Sequence, residues 1–165
     1  MRVLFLTSRL PGPLFRGDQL RAYHHLRQLS TRHRITLVAV HDAAPDPARI
    51  AALETYCERV IVVRRPAAEM AWRALAALPS QLPLQAAIYD FGALRAALAA
   101  LLSETEFDLA HVQLARLGPH LARLHPLPCV LDFIDALSVN MARRATFDRG
   151  FFGLAARLET PRLAA

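Results

Sequence analysis

Five short apolar runs recur along the chain, at residues 3–6, 35–40, 60–63, 109–112 and 129–134, with longer helix-patterned stretches between them. Most are continuous rather than alternating, which is what strands covered on both faces require. Strands that alternate with helices imply right-handed crossovers and therefore a parallel sheet. The expected fold is an α/β, Rossmann-like sheet in the order 3-2-1-4-5, with the first run central and helices on both faces.

The intervening segments carry helical signals of their own. In the first, Ala22, Tyr23, Leu26, Leu29 and Ser30 fall on one face and Arg21, His25, Gln28 and Arg32 on the other, with Asp18 placed to cap the N-terminus. In the second, Asp46-Pro47 is a capping residue followed by proline at the first helical position, with Ile50, Leu53 and Cys57 inward. Residues 66–106 are generous for one crossover. Met70, Ala74, Leu75 and Leu78 suit one helix there, stopped by Pro79 and Pro83, and Phe91, Leu94, Leu98, Leu101 and Leu102 suit another. Residues 137–145 read as helical, followed by an apolar set of Phe151, Phe152, Leu154 and Leu158 that Pro161 interrupts. That tail reads as incomplete from about residue 137, in want of a further domain to pack against.

Composition narrows the class. A chain of 165 residues, 54% hydrophobic, is one domain by length and too apolar to be disordered. No apolar run approaches the ~20 residues that span a bilayer. The opening run is too short for a signal-peptide core and leads into Arg9 and Pro11, so a cytoplasmic location is expected. Cys57 on a helix and Cys129 opening a buried strand read as two reduced apolar thiols. The net charge of +6 comes entirely from arginine, which favours anionic partners. The arginines are scattered, and neither zinc-finger spacing nor an aromatic-basic RNA motif occurs, so nucleic acid is not an expected partner. Trp72 with Arg64, Arg65 and Arg73 admits two readings, a core-packing helix or an element lying on an anionic membrane face.

Chemistry is expected at the carboxyl edge of the sheet, where open parallel sheets bind ligands. The first such loop holds Gly12 and Gly17 between stiffening prolines and opens a helix whose N-terminus suits an anion, although it is neither a G-x-G-x-x-G fingerprint nor a P-loop. Arg16-Gly17-Asp18 serves equally as a surface turn that caps the helix. Asp132 is expected to pair with a backbone group or an arginine. Asp132 and Asp135, three apart on a strand, leave opposite faces and make a poor chelate.

The stretch Met1-Arg-Val-Leu-Phe-Leu-Thr7, a proline-rich loop, and Arg16-Gly-Asp-Gln-Leu-Arg-Ala-Tyr-His24-His25-Leu resembles the start of family-4-type glycosyltransferases, in particular sugar transferases of bacterial exopolysaccharide loci. Phe107-Asp-Leu-Ala-His-Val-Gln113 and Val130-Leu-Asp-Phe-Ile-Asp135-Ala-Leu-Ser138 extend the likeness over most of the chain. The resemblance implies the N-terminal half of a GT-B enzyme, in which this domain holds a glycan or lipid-linked acceptor. A C-terminal domain, expected beyond these residues, binds the nucleotide-sugar donor. Transfer in that family retains configuration and needs no metal, and the sequence spacing suggests no metal-ligand cluster. On this reading the substrate-binding residues are Arg16, Gly17, Asp18, His24, Gln113, Arg116, Asp135 and Ser138. The chain alone should be inactive, and peripheral contact with the inner membrane face is an expected addition.

One departure matters. Many family-4 enzymes end the fourth strand with two histidines one residue apart. Here His111 matches the first and Gln113 stands where the second would be. Glutamine hydrogen-bonds a sugar hydroxyl but exchanges no proton at neutral pH, so no catalytic residue is assigned. The alternative classes are a non-catalytic α/β ligand-binding or assembly module and a membrane-surface adaptor.

Overall fold

The computed structural model describes residues 1–12, 16–134 and 136–164, without the side chains of Phe151, Phe152 and Ala164. The elements in chain order are β1 (Arg2–Thr7), α1 (Gly17–Leu29), β2 (Arg34–His41), α2 (Pro47–Glu54), β3 (Arg59–Arg64), α3 (Ala67–Ala77), α4 (Leu84–Tyr89), α5 (Gly92–Glu104), β4 (Leu109–Gln113), a 3-10 turn (Ala115–His120) leading into α6 (Leu121–Leu124), β5 (Cys129–Asp132), α7 (Leu137–Phe147) and α8 (Gly150–Ala164). The five strands are all parallel, in the order β3-β2-β1-β4-β5, a Rossmann-like arrangement.

The pleat sorts the apolar runs into two cores. Phe5, Ile35, Leu37 and Ala39 face Ala22 and Leu26 of α1 and Leu53 of α2. Leu4, Leu6, Val38, Val40, Ala110 and Val112 face Phe91, Leu94, Leu98 and Leu101 on the opposite side. The strands of the sheet centre are thus apolar on both faces, because helices cover both sides.

Several expectations are corrected. Arg16, not Asp18, is the N-cap of α1, and Asp18 instead turns from the first helical turn to pair with Arg9 at 2.7 Å. By contrast Asp46 does cap α2, accepting from Ala48 N at 3.0 Å. Cys129 is exposed, because β5 is an edge strand whose first two residues lie open to solvent. Burial holds Cys57 protonated, with its pKa pushed up to about 12. Leu75 and Leu78 do not face inward: α3 packs through Ala77 and a Glu69–Arg73–Asp90 ion network, leaving Trp72 67% exposed. Pro161 does not end the tail helix, since α8 runs on through it.

The tail packs back onto the domain. Gly153 lies so close to the loop before α8 that a Cβ would sit 2.3 Å from the Asp148 carbonyl oxygen. Glu159, buried on α8, accepts from Leu84 N and Gln85 N at 2.8 and 3.0 Å and so caps α4, which has no capping side chain of its own. Glu69 of α3 does the same for α5 through Gly92 N at 2.8 Å. The N-termini of α4 and α5, two of the three helices in the long crossover, are therefore satisfied from other helices.

Candidate functional site

The carboxyl ends of β1, β2 and β3 open into a cleft of about 390 Å³ lined by Ser8, Arg9, Arg16, Gln19, His41, Asp42, Arg49, Arg65 and Tyr89. Its position follows from topology: β1, β2 and β3 are hydrogen-bonded neighbours, so the residues that leave their ends converge. Arg9 follows β1, Arg65 follows β3, Arg16 caps α1, and Arg49 comes from the first turn of α2.

The charges are held rather than loose. Arg49 donates to the carbonyls of Leu10 and, at 2.9 Å, Pro11, so its guanidinium staples the loop after β1. Burial pushes the pKa of this guanidinium down, partly countered by Asp46. Arg65 donates to Asp42 at 2.6 Å and to the Tyr89 hydroxyl at 3.2 Å, with its guanidinium carbon 5.2 Å from the Tyr89 ring centre. The guanidinium carbon of Arg116 lies 5.5 Å from that ring centre, so Tyr89 is flanked by two cations. The Tyr89 carbonyl meets fully buried His120 Nε2 at 3.0 Å. A carbonyl only accepts, so Nε2 is the protonated nitrogen. Burial lowers the His120 pKa, which keeps the ring neutral. Four arginines face three carboxylates, Asp18, Asp42 and Asp46, an excess that suits a ligand carrying phosphate or carboxylate.

The residues singled out from sequence divide. Arg16 lines the cleft. Gly17 opens α1 on the exposed surface, with open space where a Cβ would stand. Asp18 joins the cleft indirectly, by holding Arg9. Gln113 is 2% exposed and donates from Nε2 to the Asp18 carbonyl at 3.1 Å, so it anchors the start of α1 from below instead of facing the cleft. His24 is exposed, edge-on to Tyr23. Arg116 and Leu137 border a separate groove with Pro83, Gln85 and Arg162. Ser138 stands half-buried in the first turn of α7, and Asp135 lies outside the described residues. The strands next to that segment end in backbone strain, with Leu114 at φ 78° and Ile134 at φ 53°.

Sequence reasoning did not assign Arg9, Gln19, Arg49, Arg65 or Tyr89 to the site and read Arg65 only beside Trp72. Arg9 and Arg65 were within reach, because each lies within three residues of the end of an apolar run. Tyr89 was not, because its place depends on how a long crossover folds.

Asp132 pairs with an arginine: Arg21 Nε and Nη2 donate to its two oxygens at 3.0 and 3.3 Å. His111 stacks on Phe5 with ring centres 4.4 Å apart, and His25 meets His111 edge-on at 5.7 Å. Burial lowers the pKa of both histidines, with further lowering by Arg21 at His25 and by His25 at His111.

No protein-family model matches the chain, and neither a curated protein nor a solved structure proves similar to it. Fold and cleft define its class as a Rossmann-like α/β protein. Among the described residues no helix is long and apolar enough to cross a membrane.

Proposed function

We propose that this chain is the acceptor-side domain of a retaining, metal-independent GT-B glycosyltransferase of bacterial polysaccharide synthesis. The observation that carries the reading is the arginine-lined cleft at the carboxyl edge of the sheet, where such a domain would receive its acceptor. Arg9, Arg16 and Arg65 would take a phosphate or carboxylate of a glycan or lipid-linked acceptor. Gln19, Ser8 and the Tyr89 hydroxyl would serve sugar hydroxyls, and Arg49 would keep the loop after β1 in place. The donor nucleotide-sugar belongs to the C-terminal partner domain that the sequence resemblance implies, so these residues alone would transfer nothing.

The surface of α3 supports a membrane-proximal setting. Trp72, Leu75 and Leu78, with Leu82 beyond them, are all exposed, and a lipid-linked acceptor would be met at such a surface. The reading is tested by titrating the purified chain with a short prenyl-diphosphate-linked glycan and, separately, with a panel of nucleotide-sugars. Saturable acceptor binding that weakens with salt, without nucleotide-sugar binding, supports it. Tight nucleotide-sugar binding, or sugar transfer by this chain alone, overturns it.

A further inference from the structure

The parallel register brings together three side chains that the sequence keeps far apart. His111 of β4 is paired with Val130 of β5, so Asp132, two residues on, emerges on the same face of the sheet as His111. Phe5 is the register partner of His111 on the other side and stacks against its ring, which fixes the ring's plane. Helix α1 crosses this face and sets His25 edge-on to His111. One ligand atom from each of His25, His111 and Asp132 lies within 4.8 Å of the other two, and all three residues are half-buried.

We propose that His25, His111 and Asp132 form a binding site for a single first-row divalent transition ion, with zinc as the best match. Two imidazoles and one carboxylate are the ligand set of zinc, cobalt and nickel, whereas magnesium and calcium require oxygen. In tetrahedral zinc geometry, ligand atoms ~2.0–2.2 Å from the ion stand roughly 3.4 Å from one another. Closure from the present spacing therefore takes about an ångström of side-chain rotation. The Nδ1 atom of His111 is buried and has no hydrogen-bond partner beyond the backbone of its own residue, a poorly satisfied state for a buried ring nitrogen. Asp132 has the capacity to join. Arg21 uses one lone pair on each oxygen, and Ile134 N uses a second on Oδ1 at 3.3 Å, which leaves one on Oδ2. The Arg21 side chain is 48% exposed, so it swings into water at little cost if the ion claims more of the carboxylate.

The site lies beneath α1 and away from the arginine-lined cleft, so it is independent of the transfer reading and asks no metal chemistry of it. Its effect would be structural: one ion would cross-link α1, β4 and the edge strand β5, and α1 in turn presents Arg16 to the cleft. Water completes the coordination shell.

The test uses untagged, chelator-stripped protein. Zinc is titrated against a chromophoric chelator, cobalt binding is followed by its visible absorption, and melting is recorded with and without zinc. The proposal expects one ion per chain, a zinc-dependent rise in Tm, and intense cobalt bands typical of a four-coordinate site. His25→Ala and Asp132→Asn should each weaken zinc at least tenfold and abolish the Tm rise. His25→Gln covers the case in which the alanine variant folds poorly. His125→Gln, at an exposed position, should change neither reading. Arg21→Ala should tighten binding, because it frees the carboxylate. Absence of stoichiometric binding to the wild type, or binding that His25→Ala and Asp132→Asn leave unchanged, overturns the assignment.

Discussion

Glu159→Ala should destabilise the fold far more than an alanine exchange on a C-terminal helix ordinarily does. Glu159 is 4% exposed, and its carboxylate accepts from two backbone N–H groups, Leu84 N at 2.8 Å and Gln85 N at 3.0 Å. Hydrogen bonds to a charged group contribute about 1.5–3 kcal/mol each, so their joint removal costs about 3–6 kcal/mol before compensation. Relief from burying a carboxylate and entry of water into the vacated space offset part of this, leaving about 2–4 kcal/mol. At roughly 2–4 °C per kcal/mol for a chain of this size, Tm should fall by roughly 5–15 °C. Urea unfolding measures the loss directly as a shift in midpoint with an unchanged slope. Glu159→Gln keeps the volume and one acceptor oxygen and should lose about half as much. Because α4 carries Tyr89, the alanine variant should also weaken ligand binding in the cleft. A loss below about 0.5 kcal/mol for Glu159→Ala would show that the two N–H groups find water freely, and that α8 does not brace α4.

Gly153→Ala forces a methyl group against the Asp148 carbonyl, where no flexible side chain can give way, and should loosen the packing of α7 on α8; faster amide exchange in both helices would register it. Glu69 titrates below the ordinary carboxylate range, first because Gly92 N donates to it and then because of Arg73. Its contribution is therefore fully present above the unfolded value of about 4.3 and is lost as pH falls through the lower folded value. The stability gap between wild type and Glu69→Gln should be clear at pH 7 and close in strong acid; a gap independent of pH would contradict the assignment. Trp72→Ala should reduce co-sedimentation with anionic liposomes without lowering Tm, since the side chain is mostly in water; unchanged sedimentation would remove α3 as a membrane contact.

How much was legible depended on whether a feature was local. The strands were legible because a buried parallel strand writes itself as a continuous apolar run, their parallel pairing followed from connection rules, and the expected order 3-2-1-4-5 is the one observed. The cap at Asp46 was legible because donor and acceptor are two residues apart. Glu159 and Glu69 were opaque for the opposite reason: each caps a helix remote in sequence, and a glutamate on a helix otherwise reads as solvated. Gln113 shows the limit of edge reasoning. It does stand at the carboxyl end of β4, but its side chain points under α1 and donates to the Asp18 carbonyl. His111 and Asp132 meet through the β4–β5 register and His25 joins them from α1, neither of which residue spacing along the chain carries.

The claim that the arginine-lined cleft is an acceptor site is tested most directly by locating a bound acceptor. A crystal of the chain soaked with a short prenyl-diphosphate-linked glycan should show the diphosphate between Arg9, Arg16 and Arg65, with the first sugar toward Gln19 and Tyr89. The same soak into Arg65→Ala crystals should leave the cleft empty or poorly occupied. Clear density for the acceptor elsewhere on the protein, or for a nucleotide-sugar in this cleft, would contradict the account.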